Sequence, residues 1–577
     1  MRRLLPLLVI VSLLAMGCAG KVCKTTAGKA VEDEGEKLVA GELPKEKIMG
    51  KTIDERLFAY APVELKVPWD LLDQNQVEVL ENLYYASKIM DKIFLRQVWA
   101  GNKDMRMKIV EKGDPKLKKF FDINFGPWDR LEENEPFIGT MEKPDGADYY
   151  PADMTQEEFR AWVEAHPDDA AAFESNFTVI RRGPVCGLVA IPYSKEYGED
   201  LKEVAGYMRK AADLTKNESL AKFLRSRADA YFTDDYFQSD MDWMDVKDNL
   251  IDLTMGPYEV YEDNLFNYKA AFEAFLCIRD PEESRKLDGL KGYLKKMEMN
   301  LPIPDEHKNL DRGSDSPIAV VDEIFSGGDT KAGVQTLAFN LPNDERVREA
   351  KGCKKVMLRN ICHAKFDKIL FPIAQKVMDK DLVPHVTFDA YFNHILLHEF
   401  SHGLGPGNIT LADGTETTVN KQLANTYSVN EEAKADVVGQ YNFYYLIGEG
   451  FFDGKFAKET AATFLAGFFR SVRFGAESAH GRANMIIFNY MKEKGGYSQD
   501  SATGLWTVDF AAAKEAVKGL SHEILMIQAR GDYEASQALI DKYGNMGDDV
   551  RKSLDSLSDL PVDIWPTFEI EKKFTVN

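Results

Sequence analysis

Two short stretches constrain this chain more than anything else in it: YFNHILLHEFSHGLGPG (391–407) and VNEEAKADVVGQY (429–441). On a helix, residues four apart stand one turn above each other on the same face. His398 and His402 can therefore aim two imidazoles at one metal ion, with Glu399 beside them as a base for water. A catalytic zinc takes three protein ligands and keeps one position open. Glu432, separated from His402 by 29 residues, can supply the third ligand from a second helix. Asp436, one turn past Glu432, is placed to hold a ligand imidazole in the right tautomer. Glu431 points about 100° away from Glu432 on a helix, which suits contact with a ligand or substrate better than ligation. His394, one turn before His398, reads as a supporting or core residue. The chain has only nine His in 577 residues, so both motifs occurring on plausible helices, in this order, carries weight. The expectation is one zinc ion.

The chain begins Met1-Arg2-Arg3, continues with the apolar run Leu4–Ala15 and then reads Met16-Gly17-Cys18. A basic start, a short apolar core and a small residue before the cut mark a secretory signal over residues 1–17. Cys18 after Gly17 resembles a bacterial lipobox, in which that cysteine is acylated. Residues 18–47, small and charged, read as a flexible tether. The expectation is an exported bacterial lipoprotein, attached to a membrane through a lipid on Cys18, on the periplasmic side of the outer or inner membrane. The six cysteines show no CxxC and no regular spacing, so no disulfide framework is expected. A net charge of −22 argues against nucleic acid, whose phosphates want a basic surface.

From about Ile48 the pattern is globular. Helical spacing of apolar residues marks Trp69–Trp99, Leu201–Phe232 and Trp243–Ile251. Thr155 with Glu158 three residues on reads as a capping box. Strands are expected within Val179–Pro192, Ile318–Val321 and Thr336–Leu341. The later part is more helical: Phe388–His402, capped by Thr387 and stopped by Gly403, then Asn430–Ile447, Lys458–Phe474, Glu477–Lys494, Asp509–Arg530 and Glu534–Tyr543. This gives an α+β, predominantly α-helical fold, with a mixed lobe mainly over 48–345 and a helical zinc-binding lobe mainly over 346–577.

HEFSHG, NEEAKAD and the downstream SAHGRA together resemble the dipeptidyl peptidase III family of zinc exopeptidases. The resemblance extends to GPYEVYEDNLFNYKAAFEAFLCIRD (256–280), LAFNLPND (337–344) and KGCKKVMLRN (351–360). It implies two lobes around a wide cleft, the mixed one with a β-barrel-like core, and removal of dipeptides from the N-terminus of short peptides. It implies His398, His402 and Glu432 as zinc ligands and Glu399 as general base. Tyr261 and His480 would stabilise the tetrahedral intermediate. Glu259 would receive the substrate's ammonium, with Asn360 a looser match in the same subsite. Well-known members carry HExxGH, with an extra residue in the helix, and a longer gap to the EE motif. With HEFSH in their place, the resemblance implies a divergent branch of that family.

The leading reading is a zinc exopeptidase in which Glu259 and Glu431 select a free ammonium by charge pairing. Two alternatives are a zinc hydrolase of the same fold acting on another amide and a non-catalytic peptide-binding lipoprotein. The intact Glu399 argues against the last of these.

Overall fold

The computed structural model describes residues 50–183, 187–310, 317–475 and 478–574. The signal segment, Cys18 and the tether lie outside the described residues. Among the described residues no helix is long and apolar enough to cross a membrane, and Cys277, Cys353 and Cys362 are free thiols. The fold is α+β and predominantly helical.

The strands that position the site are β1 (Tyr60–Leu65), β2 (Ile251–Pro257), β3 (Phe272–Arg279), β4 (Ile318–Gly328), β5 (Ala338–Leu341), β6 (Lys354–Leu358) and β7 (Asp563–Phe568). Five of them form a mixed sheet in the order β2-β3-β4-β6-β5. β2, β3 and β4 are successive antiparallel neighbours, β4 and β6 run parallel, and β5 returns antiparallel to β6. This sheet is the core expected to be barrel-like; its pairings among the described residues run from β2 to β5 without closing. It takes β6 from beyond residue 345. β7 pairs in parallel with β1, Tyr60 against Asp563, so distant parts of the chain lie side by side.

β2 is buried at every position and β4 at all but Asp322, so both faces of the sheet are covered. One cover is helix α1 (Gln74–Val98), which opens with a reciprocal capping box between Asp73 and Gln76. It lies across β3 and β4. Gly327 makes this approach feasible, because a Cβ there would overlap the Ser87 carbonyl oxygen.

The helical part contains α2 (Phe388–His402), α3 (Tyr427–Gly448), α4 (Phe456–Ser471), α5 (Ala479–Glu493) and α6 (Phe510–Arg530). α2 has the bounds its sequence implies: the Thr387 hydroxyl accepts from the Ala390 N–H at 3.3 Å, and Gly403 follows the last residue. α2 packs on α3 and α4, while α3 also packs on α5 and α6. At the α2–α3 crossing a Cβ on Gly439 would stand 2.9 Å from the His398 backbone nitrogen. Only a glycine lets the two backbones meet there.

Three local expectations differ from the structure. Leu201–Phe232 is two helices, Gly198–Leu214 and Glu218–Ala230, because Asn217 caps a new start by accepting from the Leu220 N–H. Trp243–Ile251 is helical only to Met244; the chain turns through Asp248, at φ 51°, and enters β2 at Ile251. Asp245, Asp248 and Asn249 are turn formers, and they outweigh the apolar spacing. At Thr155 only half of the capping box forms. Thr155 accepts from the Glu158 N–H, but the Glu158 carboxylate binds the Arg182 guanidinium instead, at 2.5 and 3.0 Å.

Replacing Gly439 by Val is expected to destabilise the protein by about 1–3 kcal/mol through overpacking at the crossing, read from urea unfolding. An unchanged midpoint and slope would show that the crossing tolerates a side chain.

Candidate metal centre

The α2–α3 crossing delivers five motif residues to one place. His398 Nε2 and His402 Nε2 face each other at 3.1 Å. Glu432 Oε2 lies 3.5 Å from the first and 3.8 Å from the second. Behind them, His398 Nδ1 is 2.7 Å from Asp436 Oδ1, and His402 Nδ1 is 2.9 Å from Glu431 Oε1. The carboxylate partners place the proton of each ring on Nδ1 and leave both Nε2 lone pairs free.

These residues fit a metal ion. Donors about 2.0–2.1 Å from a tetrahedral zinc stand roughly 3.3 Å apart, close to the separations found. Two ring nitrogens with facing lone pairs repel unless a cation sits between them. Glu432 Oε2 is buried, and the one polar side chain besides the two ligand rings that approaches it among the described residues is His480, whose Nδ1 stands 3.2 Å away. Among the described residues, His398, His402 and Glu432 form the group able to hold an ion.

The supporting charges are strongly biased. Burial works against a charged His398, but without a cation between the rings Asp436, Glu399 and Glu432 outweigh it and lift its pKa to about 9, so that a metal ion bound at Nε2 displaces a proton. Burial also opposes the Asp436 carboxylate, yet His398 and His394 hold it far below the usual range. Glu431 is pulled down to about 2 against its burial, by Lys434 and His402. Lys434 Nζ lies 2.8 Å from Glu431 Oε1 and donates to the carbonyls of His402 and Leu404. Gln528 donates to the other Glu431 oxygen at 3.2 Å. Of the two readings of Glu431, support for a ligand or contact with the substrate ammonium, the geometry matches the first: Oε1 meets His402 and Lys434, and Oε2 accepts from Gln528. His394 stands 3.6 Å from Asp436 and packs on Phe464, a supporting position.

The residues expected to contact substrate separate into two groups. Tyr261 is 76% exposed, yet its hydroxyl lies within electrostatic reach of both Glu259 and Glu432. Local desolvation raises its pKa, and the two carboxylates add to that. His480, second residue of α5 after the Ser478 cap, brings its Nδ1 to Glu432, whose carboxylate raises the imidazole pKa. Glu259 is half-buried; burial pushes its carboxyl up, against the pull of Asn343 and Arg348. Asn360 is not free for a ligand. Its amide is clamped on the Glu323 backbone, accepting from the N–H at 3.0 Å and donating to the C=O at 2.7 Å.

Asn343 was missed by sequence reasoning. It sits beside the Glu259 carboxyl, whose pKa it lowers, and donates to the Tyr258 carbonyl at 3.1 Å. It lies in LAFNLPND, a block that signalled the family without indicating which residue meets the acid. Lys355, which reaches Glu399, had no sequence signal at all.

A family model described as Peptidase family M49 matches residues 188–450. The structure of DPP III from Caldithrix abyssi is 53% identical, covering 90% of this chain and 100% of that one, with a TM-score of 0.89. This chain belongs to the dipeptidyl peptidase III family. The dipeptidyl-peptidase III structure from Corallococcus sp. strain EGB is similar too, at 40% identity over 91% of this chain and 99% of that chain, with a TM-score of 0.79. A plant relative, Nudix hydrolase 3 of Arabidopsis thaliana, is 38% identical over an alignment that covers 90% of this chain and 74% of the plant protein. That name describes the plant protein, part of which lies outside the alignment. The two-lobed fold expected of the family is the fold found. With a His-His-Glu group in place, the chain is a metallopeptidase of this family.

Asp436→Ala is expected to weaken zinc binding roughly 10- to 100-fold, measured by competition with a chelating dye. Unchanged affinity would mean that His398 needs no carboxylate to orient it.

Proposed function

We propose that this protein is a zinc-dependent exopeptidase that removes dipeptides from the N-terminus of short peptides. The observation that carries this is the arrangement of Glu259, Tyr261 and Glu432. An acid able to take an ammonium lies two residues from a phenol that feels the charge of the Glu432 carboxylate. Two residues of chain span at most about 7 Å, the length of one extended dipeptide.

Glu259, beside Asn343, accepts the substrate's terminal ammonium, and its partial burial makes that charge pairing strong. A zinc ion held by His398, His402 and Glu432 would supply Lewis acidity, polarising the scissile carbonyl and easing deprotonation of water. Glu399 takes the proton from the attacking water on a carboxylate oxygen and passes it to the leaving amine nitrogen. The Tyr261 hydroxyl and the His480 imidazole donate to the oxygen that becomes negative in the tetrahedral intermediate. Asp436 and Glu431 keep the Nδ1 protons of the two histidines away from the reaction.

Short peptides are the substrates on this reading, and the acidic balance of the chain leaves nucleic acid without a role. The basic start, apolar run and Gly17-Cys18 pair support lipid attachment at Cys18, with the enzyme on the periplasmic side of the outer or inner membrane.

The test is arylamine release from dipeptidyl-arylamides by the soluble form, residues 24–577. Wild type is expected to cleave free substrates and leave N-blocked ones intact. Glu399→Ala is expected to lose roughly 10²- to 10⁴-fold in kcat with zinc retained. Cleavage of N-blocked substrates would contradict the exopeptidase reading.

A further inference from the structure

Lys355 projects from β6, in the sheet of the mixed lobe, onto a residue of α2. Its side chain is 10% exposed and that of Glu399 is 19% exposed; Lys355 Nζ stands 3.4 Å from Glu399 Oε2. The same ammonium donates to the Glu399 backbone carbonyl. Taking an ammonium out of water costs several kcal/mol unless it is paired, and among the described residues Glu399 is the ion-pair partner of Lys355. At 3.4 Å the contact with the carboxylate is longer than a charge-assisted hydrogen bond of about 2.7–2.9 Å. It steers the carboxylate without occupying the lone pair that must take a proton.

The position of Lys355 in the sheet adds a second connection. β6 pairs with β5 in the register Lys355↔Asn340. Three residues on from Asn340, Asn343 lies beside Glu259. β6 thus carries the partner of the base, and the loop just past the end of β5 carries the neighbour of the ammonium acceptor. A free glutamate side chain spreads over several rotamers, and confining it before substrate arrives removes that cost from the reaction.

We propose that Lys355 is a positioning residue for proton transfer, holding the Glu399 carboxylate towards the attacking water from across the boundary between sheet and metal helix. The inference rests on the metallopeptidase reading, with Glu399 as the base.

The test is a kinetic cycle on a dipeptidyl-arylamide with Lys355→Met, Lys355→Arg, Glu399→Gln and the Lys355→Met/Glu399→Gln pair, with zinc content measured in each. Lys355→Met is expected to lower kcat roughly 10- to 100-fold, with KM within about threefold and zinc retained. Lys355→Arg restores most of the rate. In the Glu399→Gln background the same change costs nothing further, because Lys355 acts only through that carboxylate. A multiplicative loss in that background, a loss confined to KM, or an unchanged kcat would overturn the proposal. Should Lys355→Met fail to fold, Lys355→Gln, which keeps a donor for the Glu399 carbonyl, carries the same comparison. If wild type turns over no arylamide, the exopeptidase reading fails separately, and thermal unfolding of the same four variants decides the pair. Additive shifts would remove the Lys355–Glu399 side-chain contact; non-additive shifts would keep it for a different substrate.

Discussion

At Gly439 the backbone of α3 runs against the backbone of α2 with no room for a Cβ, and the chemistry of the protein is assembled around that crossing. The approach fixes the height at which the two helices meet. It sets Glu432 beside the two Nε2 atoms, and Asp436 and Glu431 behind the two Nδ1 atoms. The four carboxylate and imidazole contacts are consequences of one glycine and of helical spacing at 398/402 and 432/436. The centre sits on regular helices, so its geometry depends on packing that the hydrophobic core already holds rigid. The EE motif splits its work: Glu432 faces the ion position, while Glu431 is drawn away by Lys434 and Gln528.

The mixed sheet serves the helices in a different manner. It supplies side chains to a centre that its own strands do not contain. β2 ends at Pro257, and just beyond it lie Glu259 and then Tyr261, which is within electrostatic reach of Glu432. The loop after β5 brings Asn343 beside Glu259, and β6 sends Lys355 to Glu399. Buried acids add to the field behind the loop after β2. Glu262 is paired with Arg130 and Lys143, at 2.8 and 2.7 Å. Burial, with Glu262 and Glu259 nearby, pushes Asp329 up to about 7.

The helical half was legible because its signals are local. Thr387, Gly403 and the 398/402 pair define α2 within one turn of their own positions, and the order of the two motifs named the three residues that meet. The sheet was harder. β2 and β3 are buried on both faces and so show no alternation to read. The turn through Asp248 hid the start of β2 behind an apolar run. Contacts between distant segments gave no signal. Nothing in KGCKKVMLRN tells that Lys355 reaches Glu399, or that the Asn360 amide is spent on Glu323. The resemblance pointed to Asn360 for the substrate subsite and gave no sign of Asn343; both are asparagines in family-like blocks, and only the fold shows which one lies beside Glu259.

The central claim is that one zinc ion sits between His398, His402 and Glu432, and an anomalous-difference map recorded on crystals either side of the zinc absorption edge tests it most directly. The account predicts a single strong peak within bonding distance of both Nε2 atoms and a Glu432 carboxylate oxygen, vanishing below the edge. No peak at that position in zinc-supplemented crystals, or a peak coordinated by other residues, would contradict it.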